Sequence, residues 1–79
     1  MASKMQTKLK LHFKNKGYLV INLVKITPSG MPDLIALKPK EVIFIESKEA
    51  WDKLSKLQDI RIKMLKKIGF KVYLNFDEI

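Results

Sequence analysis

Apolar residues recur at four-residue steps at Met5, Leu9 and Phe13, with lysines filling most of the other positions, and this stripe predicts an amphipathic helix over 3–16. Ser3 offers an N-cap oxygen and Gly17 a C-terminal stop. The period then changes. Residues 18–25 are rich in Val, Ile and Tyr and read as a strand, and Thr27-Pro28-Ser29-Gly30 follows as a turn. A second strand is expected over 33–37, with Pro32 just ahead of it, where a missing N–H is tolerated. Lys38-Pro39-Lys40 reverses the chain into a third strand over 41–49, whose run Val42-Ile43-Phe44-Ile45 is too short and β-branched to favour a helix. The second and third strands make a hairpin.

Asp52 or Ser55 caps a second helix that reaches Ile68 and stops at Gly69. Its main stripe is Leu57, Ile60, Met64 and Ile68; Ile62 and Leu65 widen that stripe and raise the prospect of burial on two sides. Residues 70–74 alternate as a last strand, and 75–79 read as a tail. Phe13, Phe44, Phe70 and Tyr73 fall at periodic positions and are expected in the core. The order α-β-β-β-α-β predicts a small α/β domain over 1–79, a mixed sheet flanked by helices.

Size and composition narrow the function classes. Folding a chain of this mass hides only roughly 63% of the surface its unfolded form exposes, so the core is thin and a second chain could complete the burial. The chain has no cysteine and a single histidine, His12, which removes disulfide and Cys-based zinc frameworks. No apolar run approaches a membrane span and no signal-peptide pattern opens the sequence, so a soluble cytoplasmic protein is expected. Sixteen Lys and Arg against eight Asp and Glu give a net charge of +8, which points to an anionic partner, nucleic acid first. That charge is unevenly placed: residues 1–32 carry +6 with no acid, residues 33–52 carry −2, and residues 53–79 carry +4. The acids therefore concentrate in the middle of a basic chain.

Chemistry gathers in that acidic centre. On the third strand Glu46 and Lys48 point one way and Ser47 the other. If the hairpin register sets Asp33 beside Glu46, two carboxylates can share a divalent cation. Hard oxygen donors without Cys or His favour Mg²⁺, with Mn²⁺ able to substitute. Such a cation polarises a phosphodiester and lowers the pKa of a bound water, while Lys48 orients that water or offsets charge on the transition state. Gln58, on the second helix, can hold the water or Lys48 without altering the charge balance. An E-x-K triplet arises roughly once by chance in this composition, so specificity lies in context. Ser29-Gly30-Met31-Pro32-Asp33-Leu34-Ile35 leads into one strand, Phe44-Ile45-Glu46-Ser47-Lys48 leaves the next, and Leu54-Ser55-Lys56-Leu57-Gln58 opens a helix.

These three segments resemble the signature of the PD-(D/E)XK nuclease superfamily, specifically its VRR-NUC (virus-type replication-repair nuclease) branch, from about Ser3 to Leu74. The resemblance implies an αβββαβ core and magnesium-dependent cleavage of DNA phosphodiesters. It matches Asp33 and Glu46 to the metal-binding acids, the Ser47 carbonyl to a backbone metal ligand, Lys48 to the catalytic lysine and Gln58 to the helix glutamine. Small stand-alone members, mainly from phages, are similar in size and imply a homodimer acting on four-way (Holliday) junctions in DNA repair. One departure stands out. The family commonly places a glutamate just before a segment like Ser3-Lys4-Met5-Gln6, where this chain has Ala2, and no acid precedes Asp33. Ala2 is therefore expected to weaken metal binding or activity.

Further residues carry lesser expectations. Lys4, Lys8, Lys14 and Lys16 form a candidate phosphate-binding ridge on the first helix, and Gly30 serves the turn while permitting close approach of a DNA backbone. Trp51 is a candidate dimer anchor or base-stacking platform, against ordinary local packing. His12 is expected to be a surface or partly packed residue. The leading function is a structure-selective DNA endonuclease acting as a homodimer, with the broad apolar face of the second helix as a candidate interface. Its competitors are a non-catalytic DNA-binding module on the same fold and a small protein-interaction domain.

Overall fold

The computed structural model describes residues 3–24 and 26–79. Helix α1 spans Lys4–Asn15, begun by the Ser3 hydroxyl, which accepts the Gln6 N–H, and ended before Gly17 at φ +88°. Strand β1 covers Leu19–Asn22, shorter than the 18–25 expected; residue 25 of that range lies outside the described residues. Its ladder stops there because its neighbour is led in by Pro32, which has no N–H to donate, so Leu23 N makes a last bond to Asp33 O at 2.8 Å. Strands β2 (Leu34–Lys38) and β3 (Glu41–Glu46) form the expected hairpin, turned through Pro39 and Lys40, the latter at φ 63°. Strand β3 ends at Glu46 rather than Glu49, because its partners end there too: β2 begins at Leu34, and β4 (Lys71–Leu74) runs parallel to β3 only as far as the pair Glu46–Leu74.

Helix α2 (Lys56–Lys67) makes the crossover between β3 and β4, with Ser55, not Asp52, as its N-cap. The expected tail is instead a further strand. Asn75, at φ 54°, and Phe76 turn the chain into β5 (Asp77–Glu78), antiparallel to β4. The sheet order is β1-β2-β3-β4-β5, a mixed five-stranded sheet consistent with an αβββαβ core.

Each helix covers one face of this sheet. Leu9 and Phe13 of α1 pack with Leu34, Ala36, Ile43 and Ile45, while Ile62 and Leu65 of α2 pack with Phe44 and Val72. Central strand β3 is thus buried on both sides, which is why its sequence is continuously apolar rather than alternating. Two expectations about the core are corrected. Phe70 stays exposed and only meets Phe44 edge to face at 5.4 Å between ring centres. More informative is α2, whose main stripe of Leu57, Ile60, Met64 and Ile68 is the exposed one. At about 100° per residue it is rotated by roughly a third of a turn from the buried pair Ile62 and Leu65. The helix packs on β3 and β4 through Ile62 and Leu65, and Ile60, Met64 and Ile68 are left exposed.

This inversion has a measurable consequence. Ile62, 2% exposed, should cost about 2–5 kcal/mol on truncation to Ala. Ile68, 70% exposed, should cost under about 0.5 kcal/mol by the same change. Urea denaturation of the two single variants checks the difference.

Candidate active site

The β2–β3 register pairs Leu34 with Ile45, which sets Asp33, one residue before β2, across from Glu46 at the end of β3. Opposed residues of an antiparallel pair share a face, so the two carboxylates stand on one side of the sheet. Asp33 is held by three donors: Ser47 N at 2.9 Å, the Ser47 hydroxyl, and Gln6 Nε2 at 3.2 Å. Ser47 thus turns its hydroxyl toward the acids rather than away, because beyond the end of β3 the alternation of strand faces no longer governs it. Glu46 is 4% exposed. Burial, reinforced by the nearby Asp33 charge and only partly offset by Lys48, pushes its pKa from an ordinary 4.5 up to about 7.

Two further groups face Glu46. Lys48 Nζ lies 3.8 Å from Glu46 Oε2, so Glu46 and Lys48 do project together. Gln58 Nε2 reaches the same oxygen at 3.5 Å. The amide of Gln58 is oriented from its other end: its Oε1 accepts Ser55 N at 2.9 Å while Ser55 Oγ accepts Gln58 N at 3.1 Å. This is a capping box, and it explains why Gln58 sits three residues after Ser55.

Two supports were not singled out from the sequence. Asn75 Oδ1 accepts Lys48 N at 2.8 Å and Asn75 N donates to Glu46 O at 2.8 Å, clamping the Glu46-Ser47-Lys48 segment from the β4–β5 turn. The one available signal was an Asn directly after a strand, the residue type that best tolerates positive φ outside glycine. Glu49 Oε1 accepts Met5 N at 3.2 Å and ties the start of α1 to this end of the sheet. Gln6, from the same turn of α1, holds Asp33. Both helices therefore begin at the carboxylates, and their N-terminal ends present partial positive charge there, an environment that favours a phosphate.

The other expected residues fall elsewhere. Lys4 and Lys8 are exposed one turn apart near the carboxylate end of α1, whereas Lys14 and Lys16 are exposed at its opposite end, so the four do not form one ridge. Gly30, at φ +83°, makes its close approach to α2: a Cβ there would stand 2.7 Å from Leu57 Cγ. Trp51 is 79% exposed, which excludes the local packing role. His12 is half-buried, edge-on to Phe13 and Phe76 at 5.0 and 5.1 Å, as a partly packed histidine should be. Ala2 lies outside the described residues.

The model of the VRR-NUC domain matches residues 6–75, nearly the whole chain. The chain belongs to the VRR-NUC family. No curated protein matches it. A VRR-NUC domain is a nuclease of the PD-(D/E)XK type, and the matched span contains Asp33, Glu46, Ser47, Lys48, Gln58 and Asn75. The residues present fit a divalent cation. Two oxygen-donor carboxylates face one another, the Asp33 charge adds to burial in raising the Glu46 pKa, and a cation would offset that repulsion. Among the described residues no group of three or more His, Cys, Asp or Glu side chains gathers at one point, so two carboxylates would be completed by backbone and water oxygens, as Mg²⁺ accepts.

The raised Glu46 pKa also fixes a pH dependence. Between about 4.5 and 7 the folded VRR-NUC domain holds a proton that the unfolded chain has released, so stability falls as pH rises through that window. The fall should be of the order of 3 kcal/mol in metal-free protein. Thermal melts in EDTA from pH 5 to 8 should show it, and Glu46→Gln should flatten the profile.

Proposed function

We propose that this domain is a divalent-metal-dependent, structure-selective DNA endonuclease that works in the cytoplasm as a symmetric homodimer and cuts four-way junctions. The observation that carries the reading is the pair Asp33 and Glu46 opposed across the β2–β3 ladder, with Lys48 and Gln58 on the same carboxylate. Asp33, Glu46 and the Ser47 carbonyl are the groups that would hold the metal, Mg²⁺ with Mn²⁺ as a substitute. When bound, it supplies positive charge that polarises the scissile phosphate and acidifies a water molecule. Lys48 orients the attacking water and stabilises negative charge building on the phosphorane-like transition state. The water gives up a proton to solvent as its oxygen bonds to phosphorus in line with the departing sugar oxygen, whose bond to phosphorus breaks and which takes up a proton from solvent. Gln58, fixed through its capping box, keeps Glu46 and Lys48 in register.

The dimer reading rests on unpaired apolar surface. Ile60, Met64 and Ile68 of α2 are exposed, as are Leu19 and Ile21 on β1, which alternate with the buried-side Val20 and so face the α2 side of the sheet. The stripe of α2 leans toward the same region, where Arg61 Nε donates to Ser29 O at 2.9 Å and Leu57 abuts Gly30. A patch of this kind on so small a domain fits a second copy, and a twofold axis would place two sites for paired cuts.

A catalytically impaired DNA-binding module is the second reading, favoured by one observation. No acid precedes Asp33, and the α1 side chain that meets Asp33 is the neutral Gln6.

Incubation with labelled four-way junction, fork, flap and linear duplex in Mg²⁺, Mn²⁺ or EDTA separates the two. Metal-dependent products, strongest on the junction and reduced at least a hundredfold by Lys48→Ala, are expected, with Ala2→Glu raising the rate; no metal-dependent products from either Ala2 or Ala2→Glu protein would leave the binding module. Sedimentation with DNA at micromolar concentration should give a dimer, converted to monomer by Leu19→Glu with Ile68→Glu.

A further inference from the structure

The lysines are not spread evenly over the fold. Both helices begin at the catalytic end and finish at the other, where α1 closes with Lys14 and Lys16, the β2–β3 turn carries Lys38 and Lys40, α2 closes with Lys66 and Lys67, and β4 opens with Lys71. Contacts tie these segments together. Lys38 Nζ lies 4.4 Å above the Tyr18 ring, beside Gly17, and Lys40 and Lys71 border one cleft of about 300 Å³ with Gly69 and Phe70. Glu41 is the one acid in these segments, and its proximity raises the pKa of the Tyr18 hydroxyl above the ordinary value. Seven lysines against Glu41 give these segments +6, and on the neighbouring β5 Glu78 stands opposite Tyr73, on the Lys71 face of the sheet. Among the described residues none of the seven is in an ion pair.

Part of this charge has an internal explanation. Lys14, Lys66 and Lys67 sit on the last turns of their helices, where they complement the negative ends of the helix dipoles. Lys38, Lys40 and Lys71 stand on a turn and on strands, where no dipole calls for a cation. Gathering them there raises self-repulsion in the free protein, a cost that an external anion relieves.

We propose that this basic end is a second phosphate-backbone surface, centred on Lys40 and Lys71, that grips a duplex arm of DNA remote from the catalytic carboxylates. Lys71 is in register with Ile43, three residue steps or roughly 10 Å from Glu46, and Glu41, beside Lys40, is five steps or roughly 17 Å from it. Along a duplex those spans are about three to five base pairs. The surface lies outside the catalytic site, and its binding needs neither metal nor cleavage.

Fluorescence anisotropy of a labelled duplex in EDTA, between about 50 and 200 mM salt, tests it. The comparison is between the unaltered protein, Lys40→Gln with Lys71→Gln, and the equal charge change Lys53→Gln with Lys63→Gln. Removing two phosphate contacts should lower the slope of log affinity against log salt by about 1.8, so that the affinity ratio to the unaltered protein changes about tenfold across that salt range. The Lys53 and Lys63 pair should leave the slope unchanged. Equal effects from both pairs, which would mark a response to net charge alone, or no effect from Lys40 and Lys71, would overturn the proposal. All four positions are exposed, so unchanged thermal melts are expected and keep a binding loss from being read as unfolding.

Discussion

Two like charges held against each other at the end of a hairpin are the constraint around which this small fold is arranged. Left to solvent, Asp33 and Glu46 would separate; here the β2–β3 ladder fixes their backbones in register, and the buried one resists ionisation. Every element contributes to keeping them there. Helix α1 sends Gln6 to Asp33, α2 sends Gln58 to Glu46, and the β4–β5 turn sends Asn75 to the backbone that carries Lys48. A fold with little core to spare accepts this electrostatic cost only because the hydrophobic residues of β3 pack on both faces immediately behind it. Stability and site are thus in opposition along one strand, apolar up to Ile45 and acidic at Glu46.

Much of that arrangement was legible in the chain. The apolar runs on either side of Lys38-Pro39-Lys40 marked the hairpin, and the Asp33–Glu46 pairing was a condition on its register that the β2–β3 ladder meets. Ser55 was one of two candidate caps, and Gln58 was placed at the site by its amide chemistry and the family resemblance; the capping box that joins them emerges only in the structure. Sequence periodicity did less well where tertiary context decides. The stripe of Leu57, Ile60, Met64 and Ile68 is as good a helical pattern as the buried one, and which side of the helix meets the sheet depends on where the crossover docks. The strand at Asp77–Glu78 is two residues long and entirely exposed, too brief for any alternation to register. Asn75 was lost with it, since its role arises only when the chain turns back beside β4.

The distribution of charge gives the molecule a direction. Asp33 and Glu46 lie where the helices start and seven of the fifteen lysines, with Glu41, lie where they finish, so the helix dipoles oppose the charge of those side chains at both ends. At the catalytic end that opposition is useful, since backbone N–H groups attract a phosphate that the carboxylates alone would repel. At the far end the positive field comes from flexible side chains, which suits them to a polyanion of variable geometry.

Gln58 ties the surroundings of Glu46 to a folding event. Its amide faces Glu46 only while its other atoms close the first turn of α2, so the same side chain reports whether that turn exists. Helix termini are where native proteins open most readily, at far lower free energy than global unfolding. Each brief fraying of Ser55 to Gln58 would therefore withdraw a donor from the buried carboxylate without disturbing the sheet. The contact between Gln58 and Glu46 lasts only as long as the first turn of α2 stays closed.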